Sequence, residues 1–383
     1  MELSTQDLKR ILADAMERVE AVAALAQRIC AVPAPTGEEH QRAEFVATLW
    51  RERGYKPEVD DLGNVYVRRG NKSDRPLLMI LTHIDTVFPA STPLTIRREG
   101  DRLYGPGIGD NSVSVAAILT AIDLLDLYGW ETEADLLLVA NVGEEGLGDL
   151  RGARRAVERY RETLGAVLVV DGHLGSIVNA AVGSKRLKIT VKGPGGHAYG
   201  SFGTPSAIHG LGRIIAGLAA MQVPVEPKTT FNVGLIEGGT SINTIAARAT
   251  ALVDLRSIDI STLARLEEQA RTIILQQVGP GLQTEIEVMG DRPAGKRSEN
   301  DPLVQLAKQA LQWVGYEPRL GASSTDANIP ISLDIPSVCV GVTKGEKAHT
   351  TDEFLYVSPL GKGLAQVVRL CIEASNQIAH SGS

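Results

Sequence analysis

At 383 residues the chain is longer than one ordinary domain, and two domains are expected. Hydrophobic residues make up 43% of it, enough for a sizeable core. The net charge of −7 is spread without a long single-sign run, so there is no basic stripe to neutralise phosphates, and a nucleic-acid partner is not expected. No uninterrupted apolar run reaches about 18 residues, which argues against a membrane span. Residues 1–7 are polar and acidic and lack the pattern of a secretory leader. Three widely spaced cysteines, Cys30, Cys339 and Cys371, form no zinc knuckle and read as buried thiols of a reducing compartment. A cytoplasmic protein without membrane contact is the expectation.

In chain order, residues 5–30 predict one amphipathic helix, with Leu8, Leu12, Met16, Val19, Val22 and Leu25 on one side. Pro33, Pro35 and Gly37 end it, and a second helix starts at residues 36–39 and stops by Gly54. The continuous apolar run 77–81 reads as a buried strand that delivers His83 and Asp85 at its end. Residues 112–128 read as a helix, and 134–142 as a second buried strand, delivering Glu144 and Glu145. Residues 167–170 read as a third strand, ending on Asp171. Strands ending in polar residues and alternating with helices are the pattern of an open α/β sheet, whose ligands sit at the carboxyl edge. The texture then changes. A half-exposed strand at 184–192 is followed by a helix at 205–220, strands at 229–236 and 246–255, a helix at 261–278 and a strand at 283–289. That βαββαβ order predicts a separate inserted α+β domain over 183–291, flanked by a discontinuous α/β domain over 1–182 and 292–383. The α/β pattern resumes with a helix at 301–314, a strand at 337–341, His349 and a closing helix at 359–378.

Five clusters carry imidazole or carboxylate ligands: His83 with Asp85, Asp110, Glu144 with Glu145, Asp171, and His349. Two histidines and three carboxylates can hold a pair of divalent metals and leave one acid over as a base, the parts of a metal-dependent hydrolase. His83 and Asp85, two apart on a strand, point to one side, so Asp85 can orient the imidazole. Each feature also has a plainer reading: a capping His-Asp pair, an ordinary helix N-cap at Asp110, a solvated acidic loop at 144–145. Gly105-Pro106-Gly107-Ile108-Gly109-Asp110 superficially resembles a phosphate loop, but an aspartate there would repel phosphate, and the segment is not a first βα turn. Adjacent side chains point in different directions, so one of Glu144 and Glu145 can bind metal while the other reaches a water. His173 competes with Asp171, which is favoured as the first residue off the strand. No G-x-S-x-G elbow and no C-x-x-C occurs, which leaves a serine or cysteine hydrolase unsupported.

In this order and context, from residue 35 to Glu353, the residues resemble the co-catalytic zinc exopeptidases and deacylases, a family that includes peptidase T, the bacterial glutamate carboxypeptidase, acetylornithine deacetylase and succinyl-diaminopimelate desuccinylase. The resemblance implies two zinc ions, with cobalt or manganese as substitutes. It implies that His83 and Asp171 hold one ion, Glu145 and His349 the other, and that Asp110 bridges them. It makes Glu144 the general base and Asp85 the partner of His83, with a cis peptide between Asp110 and Asn111. The inserted domain resembles the family's lid and dimerisation domain, so a homodimer is implied. Within it His197, Asn243 and Arg256 resemble substrate-contacting residues, and Arg292 resembles an arginine that grips a substrate carboxylate. The sequence departs from the family in having Thr82 before His83 and Asn111-Ser112-Val113 after Asp110. Asp171, where deacylase branches often carry Glu, favours peptidases. A short peptide substrate with a free carboxylate is therefore expected, with an N-acyl-amino acid as the alternative.

Overall fold

The computed structural model describes residues 3–72 and 75–380, so the first two residues of the acidic start lie outside it. The chain forms two compact units: Met1–Ala181 with Lys296–Ser383, and Val182–Gly295.

The first unit is built on a mixed sheet whose centre is four neighbouring parallel strands in the order Leu136–Asn141, Leu77–His83, Leu164–Val170 and Ser337–Val340. Every residue of Leu77–His83 and of Leu136–Asn141 is buried. That explains the unbroken apolar runs, because a central parallel strand is covered on both faces. Antiparallel strands flank this centre, Val65–Arg69 on one side and Ser176–Ala181 on the other. Helices Val19–Cys30, Val113–Leu127, Pro302–Trp313 and Leu360–His380 contribute to the larger core cluster on one face, and a smaller cluster built around Met79, Leu81, Val139 and Val167 covers the other. The stretch expected as one helix over 5–30 is two, Thr5–Glu17 and Val19–Cys30, broken at Arg18, whose backbone (φ −95°, ψ 4°) leaves the helical region. Both halves keep their apolar side inward, so the periodicity did not reveal the break. Among the described residues, Ile108–Leu127 is long and apolar enough to cross a membrane by length and composition, which its scattered Asp and Asn residues hide from a scan for unbroken runs. Most of it, 83%, is buried in the protein.

The second unit is an antiparallel sheet in the order Thr229–Gly238, Arg248–Ser257, Gly183–Lys192, Gln283–Arg292, with helices Ala207–Ala219 and Ile260–Gln277 packed against it. Alternation does the work here. Ala249, Ala251, Val253 and Leu255 face the helices beside Leu187, Ile189 and Val191, while the residues between them are more exposed.

Candidate metal centre and active site

Four of the candidate residues come from the carboxyl edge of three parallel strands of the first unit. His83 is the last residue of Leu77–His83 and pairs with Asn141, Glu144 and Glu145 lie just beyond Asn141, and Asp171 follows Val170. The Asp171 N–H donates to the Val340 carbonyl at 3.0 Å, which extends the ladder by one residue and fixes the height of the carboxylate. Asp110 sits at the end of the glycine turn before Val113–Leu127, and the peptide bond from Asp110 to Asn111 is cis. His349 lies in the loop between the short antiparallel strands Gly345–Glu346 and Phe354–Tyr356, with φ +65°.

The structure brings these side chains together. His83 Nε2 is 3.1 Å from Asp110 Oδ1, and His349 Nε2 is 3.1 Å from Asp110 Oδ2 and 3.0 Å from Glu145 Oε1. Two groups of possible ligand atoms emerge, His83–Asp110–Asp171 and Asp110–Glu145–His349, each within 4.8 Å of one another, with Asp110 common to both. Glu144 joins a third group with His83 and Glu145. His173 joins none; its backbone bridges to Thr343 instead. A cavity of about 80 Å³ opens beside the cluster, with Asp110, Asp171, His173 and Lys344 in its wall.

The donor set suits a divalent cation. Two imidazole nitrogens and three carboxylates are the ligand types zinc takes. Ligands at about 2.0–2.1 Å in a tetrahedron are about 3.3 Å apart, close to the nitrogen–oxygen separations here. The imidazole orientation is also set: His83 Nδ1 faces the Asp85 main-chain oxygen at 3.2 Å and its carboxylate at 3.5 Å, leaving Nε2 turned to Asp110. Without a cation, protons hold the charges. Burial and then the Asp110 charge push Glu145 up to about 7 and raise Asp171. The hydrogen bond that His349 donates to Asp110, with the charges of Glu145 and Asp110, lifts His349 to about 9 against the effect of burial. Burial opposes ionisation of Asp110, but hydrogen bonds from His349 and His83 hold it below the usual carboxylate range.

Asp85 does more than face the imidazole. Its Oδ1 accepts the Glu144 N–H and its Oδ2 the Glu145 N–H, each at 2.9 Å, and Oδ2 also accepts the Thr36 hydroxyl at 2.8 Å. Thr36, read from sequence only as a helix start, is thus part of the site's support. So is Arg42, 1% exposed, which donates to the carbonyls of Ile84 at 2.9 Å and Val32 at 2.8 Å and braces the peptide between His83 and Asp85. A lone arginine on the buried side of a helix was the available signal. Asp326, 1% exposed, accepts the Asn141 amide at 2.7 Å, and burial lifts it to about 7. No motif in the sequence singled it out.

His197, Asn243, Arg256 and Arg292 all lie in the second unit. His197 pairs with Thr244 across a two-stranded ribbon, and the Ala198 N–H donates to the Asn243 carbonyl at 2.9 Å, so the first two are neighbours. His197 Nδ1 accepts the N–H groups of Tyr199 and Gly200 at 3.3 and 3.2 Å, which places the proton of the neutral ring on Nε2. Arg256 and Arg292 stand on either side of Ser184, in register from the two neighbouring strands. Arg292 is buried, and Arg256 donates to Asp254 at 2.6 Å.

The model of peptidase family M20/M25/M40 matches residues 79–373, which contain every candidate ligand. The chain belongs to that family. This M20 protein is 30% identical over 339 residues to succinyl-diaminopimelate desuccinylase of Corynebacterium glutamicum, covering 86% of this chain and 90% of the relative. Its structure is similar to that of aminopeptidase PepT from Bacillus cereus, with a TM-score of 0.76 and 25% identity, covering 94% of this chain and 99% of the other. It shares its fold with a dinuclear metal binding peptidase of the M20 family from Bacillus subtilis (TM-score 0.67, 18% identity, 94% and 99% coverage). The M20 protein is accordingly a metallohydrolase of peptide or amide bonds, with a central mixed sheet and a separate antiparallel sheet, as M20 structures have.

Proposed function

We propose that this M20 protein is a two-zinc exopeptidase acting on short peptides that carry a free carboxylate. The observation that carries the reading is the pair of ligand groups sharing Asp110, with Glu144 beside them. When bound, the two ions would polarise the scissile carbonyl and acidify a water. Glu144, on a turn pinned by Asp85, takes a proton from the attacking water and hands it to the leaving nitrogen. His197, with its proton on Nε2, is suited to donate to the carbonyl oxygen as charge develops there. Arg256 and Arg292 offer cations to the substrate carboxylate. The likeness to aminopeptidase PepT and the aspartate at position 171 favour a peptide. The 30% identity to a desuccinylase supports the second reading, an N-acyl-amino-acid deacylase.

A homodimer through the inserted unit is proposed with it. Thr229–Gly238 is an edge strand of that unit's sheet and exposes Leu235 and Ile236, and an unpaired edge invites a partner strand. The deciding experiment is a panel of dipeptides, tripeptides and N-acyl-amino acids offered to the zinc-loaded protein. Turnover of peptides above acylated amino acids supports the first reading, the reverse order supports the second, and no turnover of either class rejects both.

A further inference from the structure

The glycine turn that looked like a phosphate loop holds a carboxyl group, and the group is the protein's own. Glu353, 2% exposed, lies 243 positions beyond Asp110. Its Oε1 accepts the N–H groups of Gly109 at 2.7 Å and Asp110 at 2.9 Å, and its Oε2 accepts that of Gly107 at 3.0 Å. Its main-chain oxygen accepts the Gly105 N–H at 3.0 Å. Convergent N–H groups of this kind make a nest for negative charge, and here one residue occupies it with both side chain and backbone. The glycines permit the approach: a Cβ on Gly109 would stand 3.1 Å from Glu353 Oε1, and Gly107 has φ +76°, with a Cβ there meeting the Thr86 side chain at 2.6 Å.

We infer that Glu353 is a positioning residue, which sets the Asp110 carboxylate between the two histidines. Both Asp110 oxygens are committed, Oδ1 to His83 and Oδ2 to His349. A shift of the turn by a fraction of an ångström therefore loosens both contacts together. Glu353 is itself held: the next residue, Phe354, pairs with Tyr104 in a small antiparallel sheet, and His349 precedes it by four residues on the same segment. One anchored stretch of chain thus supplies a candidate ligand and the carboxylate that places another. Glu353 reaches the reaction only through Asp110, so its removal acts first on the shape of the metal site.

The inference rests on Asp110 being the shared ligand, and its test has one arm that does not. In the metal-free protein, Glu353→Gln presents an amide group to N–H donors where a carboxylate stood. Hydrogen exchange of the amides in residues 105–111 should speed by about tenfold or more, with the rest of the unit unchanged. Zinc titrated against a chromophoric chelator should then show the affinity of at least one site falling by about 10- to 100-fold, the range for a lost supporting partner. Gly109→Ala, which crowds Glu353 Oε1 without removing its carboxyl group, is the second variant should the first fail to fold. The two together should be less than additive in zinc affinity. Unchanged exchange in residues 105–111 overturns the clamp. Faster exchange there with wild-type zinc affinity overturns its role in placing Asp110, and if wild-type protein also binds no zinc, the metal reading itself has failed.

Discussion

The Asp85 carboxylate accepts the main-chain N–H of Glu144 at 2.9 Å, so the residue that fixes the His83 imidazole also fixes the backbone of the acid proposed as base. One buried carboxylate couples ligand orientation to base placement. Asp85→Asn keeps the shape but offers an N–H group to at least one of the donors at Glu144, Glu145 and Thr36. Zinc affinity is expected to fall by about 10- to 100-fold, and turnover should stay reduced at saturating zinc, since the Glu144 turn moves as well. Thr36→Val removes one of the three bonds and should show a weaker form of both effects. Full activity of Asp85→Asn at high zinc would confine its role to His83.

Glu144→Gln cannot accept a proton yet fills the same space. Turnover should drop by about 10²-fold or more, with two zinc ions retained by elemental analysis. Loss of metal instead of turnover would exchange the roles of Glu144 and Glu145.

Zinc binding should be proton-linked. In the metal-free protein His349 titrates at about 9 and Glu145 at about 7, both raised, so at neutral pH His349 is protonated and Glu145 about half so. A cation must displace those protons. Affinity is therefore expected to rise as pH increases from 6 toward 9 and to flatten above that. Calorimetry in buffers of different ionisation enthalpy measures the protons released; zero release at pH 7 contradicts the assignment of these two residues as ligands.

Much of the site was legible because the sheet is parallel at its centre. Runs such as 77–81 and 167–170 are buried on both faces, so the ionisable residues that follow them, His83 and Asp171, mark the carboxyl edge. The same rule passed over Val65–Arg69 and Ser176–Ala181, which are short or mix polar residues and pair antiparallel. Helix Arg151–Tyr160 went unread because it buries only Gly152, Ala153, Ala156 and Val157, side chains too small to draw a hydrophobic stripe amid arginines. Thr36 acts through a bond to the Asp85 carboxylate, and Arg42 and Glu353 through bonds to backbone groups, all distant in sequence. Such bonds leave no spacing to find, and only the fold shows them.

Stability of the second unit should respond to the N-cap of Ile260–Gln277. Asp259 accepts the Thr262 N–H at 2.7 Å, and the side chains of Ser261 and Thr262 with that N–H lower it to about 2. A depressed folded value means that the contribution is present above the unfolded value of about 4 and is lost as pH falls toward 2. Asp259→Ala should cost about 1 kcal/mol at pH 7. Asp259→Asn, a cap without charge, should be nearly as stable as wild type at pH 7 and lose less between pH 4 and 2. Denaturant midpoints across that range measure both.

The proposed homodimer allows two arrangements for His197, which can serve its own chain or the partner. The residue belongs to the inserted unit, which carries no candidate metal ligand, and its Nε2 is set as a donor by the bonds at Nδ1. In a symmetric pair a residue can be given reciprocally, each copy serving the other. His197→Ala alone should lower turnover and leave zinc content unchanged. Mixing His197→Ala with Glu144→Gln then separates the arrangements. If His197 acts across the dimer, one site of each mixed pair has an intact Glu144 from one chain and an intact His197 from the other. Random exchange makes half of the pairs mixed, so about a quarter of wild-type activity should return. If His197 serves its own chain, every site in the mixture lacks one of the two groups and activity stays at the level of the separate variants. Subunit exchange is followed independently by native mass spectrometry of a tagged copy, so that silence in a fully exchanged mixture counts against the trans arrangement.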